Sequence, residues 1–305
     1  MENLKKVFIT PLSLEKNEKE EKEKIGFIEK DKLGSGSVGV CYIYESIKDS
    51  VQYAAKLVDK EKLQRQKAQQ SIISEISTQK SLNYKKIVKI NIYSEDEKYV
   101  YIIQELCKNR SLADLLQTRD HLSEFEVQSY MFQLIQGLKY LHDRNIIHRD
   151  LKPNNIFLDE KLELKIGDFG LIAKLEKKKD RRTTCCGTKY FMAPEVIDPG
   201  EKGYSFEVDI WSMGVIMYKL LTGQYPFYDK EGDVNIDKKI INVDYIFPEE
   251  PYISDVAKDL IKQILVKKPE KRPALNQILY HDFFHMNIFP EYLNIKFLKE
   301  EPTLE

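Results

Sequence analysis

The sequence has no excess of charge of either sign, no long apolar run and few cysteines. Its 48 lysines and arginines balance 49 aspartates and glutamates across 305 residues, which gives a formal net charge of −1 at pH 7. Without a global basic field, nucleic acid is not an expected partner. The most apolar stretch, residues 210–221, is shorter than the ~18 residues that a membrane span needs and contains Lys219, so we expect no membrane association.

The cysteines do not suggest a disulfide framework. Four occur, none of them in a CxxC pair: Cys41, Cys107, Cys185 and Cys186. This usage indicates free thiols in a reducing compartment. The first residues are charged and lack a long apolar core, so a secretory signal is not expected either. Together these absences predict an intracellular protein.

Composition divides the chain into segments. Residues 13–24 carry mixed charge with almost no apolar content, and we interpret residues 1–24 as a disordered tail. Strand-like alternation follows, and helical periodicity dominates afterwards. A small β-rich N-terminal lobe (residues 25–106) and a larger helical C-terminal lobe (residues 107–285) predict the α+β class. Residues 286–305 have the composition of a tail or linker.

Periodicity also predicts individual elements within the lobes. In one predicted helix, Ile72, Ile73 and Ile76 are expected on the same side. Alternation predicts strands over residues 40–44, 51–58, 87–92 and 99–104, and the helical period predicts helices over residues 67–82, 124–142, 208–221, 257–266 and 275–280.

A glycine loop opens the β-rich lobe. Gly34, Gly36 and Gly39 form a GxGxxG pattern, a weak signal alone because it also opens dinucleotide-binding units. In those units a helix follows the third glycine, whereas residues 40–44 are β-branched and aromatic and predict a strand. We therefore expect a strand–turn–strand flap whose glycines allow the backbone to approach phosphates. The pattern GxxxxGK[ST] of P-loop ATPases is absent from the sequence.

Charged residues at fixed offsets supply the parts of a phosphoryl-transfer site. Lys56 and Glu75 are expected to form an ion pair that holds nucleotide phosphates. In the stretch HRDLKPNN, Asp150 is the candidate base that orients a hydroxyl, and Lys152 would offset charge on the moving phosphoryl.

Two oxygen donors complete this candidate catalytic set. Asn155 ends the same stretch and Asp168 begins a DFG triplet, and such an Asn–Asp pair holds Mg²⁺ in phosphoryl-transfer enzymes. A buried His–Asp network supporting a turn, with His148 and Arg149, would explain the HRD triplet. It would not explain why Lys152, Asn155 and Asp168-Phe169-Gly170 lie at the required offsets.

Residues 27–284 resemble a eukaryotic protein kinase domain, complete from the glycine loop to the final helices. The resemblance implies that Arg272 forms a salt bridge with Glu195 and that a helix carrying Asp209 anchors the catalytic loop. Further residues that carry the resemblance are Ala193-Pro194-Glu195, Asp209, Trp211 and Arg272.

Within that family the sequence is most similar to the polo-like kinases. Cys41 stands where most kinases have valine, Phe157 would form the floor of the adenine pocket, and Gly167 precedes the DFG triplet. Residues 105–107 resemble the polo hinge and residues 205–212 are very similar to the polo sequence. The polo-box region that directs location in that family is not in this sequence, so targeting through it is not carried over.

The resemblance implies a bilobal serine/threonine kinase with its ATP cleft between the lobes. Lys152 and Thr188 match the serine/threonine form. ATP and Mg²⁺, protein substrates and an upstream activating kinase are the implied ligands and partners, and a monomer is expected. The family also implies a role in the cell cycle in cytoplasm or nucleus, at centrosomes or spindles. The resemblance places the following residues around the nucleotide: Leu33, Gly34, Gly36, Gly39, Cys41, Ala54, Lys56, Glu105, Cys107 and Phe157.

Regulation is also implied by the resemblance. Thr184 is the expected activation-segment phosphosite, with Arg149 as its cation, because a phosphate can order a loop by pairing with arginine. Thr183 is a competing acceptor, and Thr188 is expected to support Asp150 and not to be a regulatory site.

Substrate preference is expected to favour acidic residues around the phosphorylated serine or threonine. Asn154 is neutral where kinases with basic substrates often carry glutamate, and Lys108 and Arg110 follow the hinge. Gln104 at the gatekeeper position is polar where an apolar residue is usual, so inhibitor selectivity cannot be inferred from relatives.

Three alternatives are kept open. Gly39 and Pro153-Asn154 depart from the polo pattern and also fit calcium/calmodulin-type kinases, although Cys41 with Phe157 favours polo. A pseudokinase scaffold would lack a catalytic lysine or carboxylate, and the sequence retains them. A small-molecule kinase on the same fold is the third alternative.

Overall fold

The computed structural model describes residues 5–12, 23–36, 39–65, 69–200, 202–229, 233–285 and 293–299. The chain forms two compact units, Met1–Lys108 and Asn109–Glu305. The division falls close to the boundary that was predicted after residue 106. A sheet dominates the first unit and helices dominate the second, so the predicted α+β class is confirmed.

The first unit contains a six-stranded sheet in the order β1-β2-β3-β4-β6-β5, and every neighbouring pair is antiparallel. Two helices follow β4 in the chain. The strands are β1 (Lys6–Ile9), β2 (Ile25–Ser35), β3 (Gly39–Ser46), β4 (Gln52–Asp59), β5 (Ile90–Glu95) and β6 (Tyr99–Glu105), and the helices are α1 (Lys60–Arg65) and α2 (Gln69–Ser81).

The sheet buries side chains on both faces, because successive residues of a strand point to opposite sides. On one face, Val58 of β4 belongs to a buried cluster with Ile72 and Ile76 of α2. On the other face, Leu57 belongs to a second apolar cluster. Lys56 is two residues from Val58 along the strand, so it lies on the face that α2 covers.

The interior side of α2 differs from the prediction. Ile72 and Ile76 are buried as expected, but Ile73 is 55% exposed and Gln79 is 0% exposed. At about 100° per residue, positions 72, 76 and 79 share one side of a helix while position 73 is turned away. The expectation for Ile73 was therefore wrong, because position 73 lies about 100° around the helix from Ile72, outside the buried side.

The tail predicted for residues 1–24 contains an ordered strand. β1 pairs with β2 along its whole length. Ile9 is 2% exposed and belongs to the same apolar cluster as Leu57, on the face of the sheet opposite α2. The segment continues across the sheet, where the Thr10 carbonyl accepts a hydrogen bond from Ser94 and the Leu12 N–H donates to the Tyr93 carbonyl. The disordered-tail prediction is therefore wrong for residues 6–9, while residues 13–22 lie outside the described part of the chain.

The second unit is mainly helical and is built around two buried helices, α4 and α6. Trp211 and Met213 of α6 are 0% exposed, as are Ile135 and Leu138 of α4. The helices are α3 (Leu112–Thr118), α4 (Glu124–His142), α5 (Pro194–Ile197), α6 (Glu207–Thr222), α7 (Asp233–Asn242), α8 (Asp255–Ile264) and α9 (Leu275–Leu279), and the short strands are β7 (Ile146–Ile147), β8 (Ile156–Leu158), β9 (Leu164–Ile166) and β10 (Ala173–Lys174).

Helix ends follow from local capping chemistry. The helix predicted over residues 124–142 has those bounds, because Ser123 and Glu126 form a capping box at its start. Helix α6 ends where Gly223 adopts a left-handed conformation with φ 70°. The strand predicted over residues 87–92 begins only at Ile90.

Part of the predicted C-terminal tail packs against the second unit. Leu293 is 5% exposed, and a short helix follows at Ile295–Leu298. The Phe297 carbonyl accepts a hydrogen bond of 2.6 Å from the Arg119 guanidinium. Residues 286–292 and 300–305 lie outside the described part. Across the described residues, every helix is too short or too polar to traverse a membrane.

Candidate active site

The glycine loop connects β2 and β3 in the first unit. The Gly36 N–H donates a 2.9 Å hydrogen bond to the Gly39 carbonyl. A Cβ on Gly39 would lie 2.3 Å from the Leu57 carbonyl oxygen, so packing against β4 requires glycine there. A Cβ on Gly34 or Gly36 would meet no described atom within 4 Å. Packing within the described residues does not explain these two glycines, and close approach of a ligand to the backbone would.

Lys56 and Glu75 form an ion pair in the first unit. Lys56 lies on β4 between Cys41 of β3 and Ile102 of β6. Its Nζ is 3.0 Å from Glu75 Oε1, and Glu75 is 5% exposed on α2. A buried carboxylate is destabilising unless it is paired. The pair therefore explains a glutamate on the interior side of α2, and it holds the lysine head group in place.

The other residues predicted around a nucleotide belong to both units. Ala54 pairs across the sheet with Ile43 and Gln104. The Glu105 carboxylate accepts a 2.8 Å hydrogen bond from the Lys89 N–H, which ties the end of β6 to the segment before β5. The remaining residues are half-buried or exposed, with Leu33, Cys41 and Cys107 in the first unit and Phe157 on β8 of the second unit.

The polar gatekeeper residue has a buried polar partner that sequence reasoning missed. Gln104 Nε2 lies 3.4 Å from Gln79 Oε1, and Gln79 Nε2 donates a 2.8 Å bond to the Val88 carbonyl. The available signal was a polar residue at helical spacing from the apolar residues Ile72 and Ile76, seven and three positions earlier. The amide pair explains how a glutamine is tolerated at position 104.

Asp150, Lys152 and Thr188 form a hydrogen-bonded triangle in the second unit. Lys152 Nζ lies 2.8 Å from Asp150 Oδ2 and 2.8 Å from Thr188 Oγ1. The Thr188 hydroxyl donates to Asp150 Oδ1 at 2.7 Å. All three residues are half-buried. The triangle fixes the direction of the Asp150 carboxylate and holds a cation directly beside it, as transfer of a charged group requires.

Asn155 and Asp168 offer oxygen atoms of the kind that Mg²⁺ prefers. Asn155 Nδ2 donates to the Asp150 carbonyl at 2.8 Å and to Asp150 Oδ2 at 3.1 Å, which turns Asn155 Oδ1 away from Asp150. Among the described residues, no hydrogen bond to that oxygen is present. Asp168 is exposed and has a left-handed backbone with φ 56°.

The size of this donor set also fits magnesium. The described ranges contain no group of three or more His, Cys, Asp or Glu side chains that could hold a metal. Mg²⁺ usually binds one or two carboxylates together with substrate phosphates and water, whereas dedicated protein cages need more ligands. Asn155 and Asp168 therefore fit a magnesium ion that is brought with a nucleotide.

Asp209, at the start of α6, holds the backbone of the catalytic loop. Its Oδ2 accepts hydrogen bonds of 2.9 Å from the His148 N–H and from His142 Nε2, and its Oδ1 accepts one of 2.9 Å from the Arg149 N–H. Burial alone would raise the pKa of Asp209, but the hydrogen bond and charge of His142, with the contribution of His148, lower the pKa below its usual value. The carboxylate therefore stays charged inside the unit.

His148 links the catalytic loop to the DFG triplet. Its Nε2 lies 3.1 Å from the Gly167 carbonyl, and its ring lies edge-on to Phe169 at 5.3 Å between centroids. Both side chains are 0% exposed. Burial of Phe169 and this contact hold the strained backbone of the adjacent Asp168.

Arg149 lies near the predicted phosphosite but already has three partners. Its guanidinium donates to the carbonyls of Leu171 and Ile172 and to the Tyr204 hydroxyl. Thr183 and Thr184 are both exposed. The Tyr204 hydroxyl in turn donates to the Thr184 carbonyl at 2.6 Å, so Tyr204 connects the arginine to the threonine.

Glu195 and Arg272 form the salt bridge that the resemblance implied. Arg272 Nη1 and Nη2 lie 2.5 Å and 2.8 Å from the two Glu195 carboxylate oxygens. The arginine side chain is 0% exposed and lies over Trp211. A bidentate pair of this kind fixes the end of the activation segment to the body of the second unit.

Comparison with known sequences identifies the family. The profile described as "Protein kinase domain" matches residues 27–284. A match over most of the chain shows that the protein belongs to the protein kinase family, as the resemblance indicated.

The similar proteins are serine/threonine kinases, several of them polo-like. The chain is 46% identical over 273 residues to the probable serine/threonine-protein kinase CCRP1 of Zea mays, covering 89% of this chain and 43% of that protein. It is 42% identical to the probable kinase PLK of Dictyostelium discoideum (89% and 27% covered) and 40% identical to the kinase polo of Drosophila melanogaster (89% and 46% covered). The resemblance to polo-like kinases is confirmed. The chain spans less than half the length of these relatives.

Proposed function

We propose that this protein transfers the γ-phosphoryl group of Mg-ATP to serine and threonine hydroxyls of protein substrates, as a polo-like kinase. The observation that carries the proposal is the triangle of Asp150, Lys152 and Thr188, in which the predicted base and the predicted cation share one hydroxyl at 2.7 and 2.8 Å. This arrangement suits a reaction in which the protein positions groups and offsets charge.

Asp150 and Lys152 have complementary roles in the transfer. The Asp150 carboxylate accepts a hydrogen bond from the substrate hydroxyl and finally takes its proton. The hydroxyl oxygen forms a bond to the γ-phosphorus while the bond from phosphorus to the leaving ADP oxygen breaks. Lys152, held 2.8 Å from Asp150, donates to oxygens of the moving phosphoryl group, where negative charge must be offset.

Residues of the first unit bind the nucleotide in this proposal. Lys56, positioned by Glu75, contacts the α- and β-phosphates, and the backbone at Gly34 and Gly36 covers them. The adenine is placed by the remaining predicted residues, which are Leu33, Gly39, Cys41, Ala54, Glu105 and Cys107, with Phe157 as its floor.

Asn155 and Asp168 would hold Mg²⁺ through Asn155 Oδ1 and the Asp168 carboxylate. The ion would neutralise charge on the β- and γ-phosphates. The hydrogen bonds from Asn155 Nδ2 to Asp150 support this role, because they turn the amide oxygen away from Asp150 and leave it oriented as a ligand.

Regulation follows the same family pattern in the proposal. An upstream kinase phosphorylates Thr184, whose exposure makes its hydroxyl accessible, and the phosphate pairs with Arg149. Substrates with acidic residues beside the acceptor are favoured by the exposed cations Lys108 and Arg110. The protein acts as a monomer in the cell cycle, in the cytoplasm or nucleus and at centrosomes or spindles, as its resemblance to the polo-like kinases implies.

Transfer of ³²P from labelled ATP to casein and to an arrayed peptide library tests the proposal. Asp168→Ala should abolish transfer, and the matched variant Asp143→Asn, which alters an exposed carboxylate on the same unit, should retain it. Thr184→Asp should increase the rate, and preferred peptides should be acidic. If the protein binds nucleotide but neither the wild type nor Thr184→Asp transfers phosphate, the result would instead support a pseudokinase scaffold.

A further inference from the structure

The segment that carries Thr184 is fixed to the second unit on both sides. Before the threonine, Arg182 and Tyr204 exchange two backbone hydrogen bonds of 2.9 and 2.8 Å. After it, Gly187 lies so close to Arg149 that a Cβ on the glycine would be 2.7 Å from the Arg149 carbonyl oxygen. Residues 183–185 between these points are exposed. The threonine is therefore presented on a short, tethered loop.

The residue before Tyr204 allows the close backbone pairing between Arg182 and Tyr204. Gly203 has a left-handed backbone with φ +62°, and a Cβ there would lie 2.5 Å from the Arg182 carbonyl oxygen. Only glycine permits both features without strain. Tyr204 itself is 2% exposed, so its ring is anchored in the unit while its hydroxyl reaches the loop.

The Tyr204 hydroxyl contacts the activation segment at two residues and the catalytic loop at one. It donates a 2.6 Å hydrogen bond to the Thr184 carbonyl, accepts one of 3.2 Å from Arg149 Nη1, and lies 3.8 Å from Cys186 Sγ. Burial raises the pKa of Tyr204, so the hydroxyl keeps its proton at neutral pH and remains a donor.

The other donors of Arg149 extend this connection. Its Nε donates to the Leu171 carbonyl and its Nη2 to the Ile172 carbonyl, directly after the DFG triplet. The Tyr204 hydroxyl is thus the acceptor that links the guanidinium, and through it the start of the activation segment, to the backbone of Thr184.

We propose that Tyr204 is a positioning residue whose hydroxyl holds the activation segment in its substrate-competent geometry before Thr184 is phosphorylated. The inference rests on the proposed function and deepens its regulation. The contacts of Thr188 with Asp150 and Lys152 are formed while the Tyr204 hydroxyl links Arg149 to the Thr184 carbonyl. Tyr204 supplies an acceptor for Arg149 that a phosphate on Thr184 would replace with a stronger, charged one.

This replacement predicts that loss of the Tyr204 hydroxyl weakens the unphosphorylated protein more than the phosphorylated protein. Tyr204→Phe removes only the hydroxyl, and with it one hydrogen bond to a charged group and one to a carbonyl. In the unphosphorylated protein the KM for a protein substrate should rise about fivefold to tenfold, the effect of losing roughly one net hydrogen bond. In protein that carries phosphothreonine at position 184 the rise should be less than about twofold, because the phosphate holds Arg149. The fold activation by phosphorylation should therefore increase.

The experiment compares wild type, Tyr204→Phe and the control Tyr280→Phe, whose ring is 81% exposed. Each protein is made with threonine or with genetically encoded phosphothreonine at position 184. KM and kcat are measured for casein and for ATP, and tryptic cleavage after Arg181 and Arg182 is followed by mass spectrometry. Faster cleavage of unphosphorylated Tyr204→Phe alone, with an unchanged KM for ATP, supports the proposal.

Two results would overturn it. Equal loss of activity in both phosphorylation states would mean that the hydroxyl has only a general structural role. Cleavage and KM values equal to those of Tyr280→Phe would mean that the hydroxyl does not position the segment. Absence of transfer by every protein would reject the proposed function instead, and the rate of tryptic cleavage would still decide whether Tyr204 anchors the loop.

Discussion

Replacement of Asp209 by asparagine should destabilise the second unit strongly, because the carboxylate accepts from three donors and is 0% exposed. Asparagine can keep one oxygen where Oδ2 now accepts from His142 and the His148 N–H. Its amide nitrogen would then face the Arg149 N–H, which now donates to Oδ1. Two donors would oppose each other in a site that excludes water.

The expected loss follows from these contacts. An unsatisfied buried N–H costs about 1–3 kcal/mol, and the two remaining bonds lose the assistance of a charged acceptor, roughly 0.5–1 kcal/mol each. A total of about 3 kcal/mol should lower the unfolding midpoint by roughly 6–12 °C in a unit of this size. Activity should fall as well, because the loop that carries Asp150 loses its backbone anchor.

The direction of the pKa shift of Asp209 determines how the difference in unfolding free energy between wild type and Asp209→Asn depends on pH. The folded pKa of Asp209 lies below the usual value of an aspartate carboxyl, so the carboxylate contributes stability that is fully present at any pH well above that usual value. That contribution is lost only as the pH falls through the folded pKa. The gap in unfolding free energy between wild type and Asp209→Asn should therefore be the same at pH 7 and pH 5.5.

Thermal and urea unfolding, followed by circular dichroism at pH 7 and pH 5.5, would measure this gap. Asp143→Asn on the exposed end of α4 is the matched control, and His142→Gln removes the imidazole that contacts Asp209. A gap below 1 kcal/mol at pH 7 would refute the argument from buried donors. A gap that halves between pH 7 and pH 5.5 would show that the carboxylate is not held in its charged form.

Two further predictions concern the activation segment. Thr188→Val removes the hydroxyl that contacts Asp150 and Lys152, so kcat should fall about tenfold to hundredfold while the KM for ATP stays unchanged. Thr188→Ser keeps a hydroxyl and should retain most of the activity. Equal rates for the two variants would contradict this prediction. Glu195→Gln leaves the buried Arg272 without its charged partner and should lower the free energy of unfolding by about 3 kcal/mol, measured by thermal unfolding. Glu249→Gln on the surface is the control and should leave the free energy of unfolding almost unchanged. A similar loss in both variants would contradict the prediction.

Sequence reasoning succeeded where the signal is local. Helix α4 was predicted with its observed bounds, because Ser123 and Glu126 cap it and its apolar residues recur with the helical period. The fold class and the family followed from motifs at fixed offsets. The ion pair of Lys56 with Glu75 was also anticipated, because a strand lysine and a glutamate on the following helix are parts of the phosphoryl-transfer pattern.

Sequence reasoning failed where distant contacts determine the structure. β1 has only four residues, and its stability comes from pairing with β2 after an intervening charged tract. Strands β7 and β10 have two residues each, too few for any periodic pattern. The role of Tyr204 could not be predicted either, because its partner Arg149 lies 55 residues earlier in the chain.

The start of α6 explains why so much of the candidate site depends on one short stretch. Tyr204 reaches the activation segment, Asp209 holds the catalytic loop, and the Ser212 hydroxyl donates to the Phe191 carbonyl at 2.8 Å. A buried helix keeps its side chains at fixed relative positions, so these loops inherit their geometry from α6 and the residues that lead into it. A substitution that shifts this end of α6 would therefore displace all three loops together, although its residues are not among those predicted to bind nucleotide or metal.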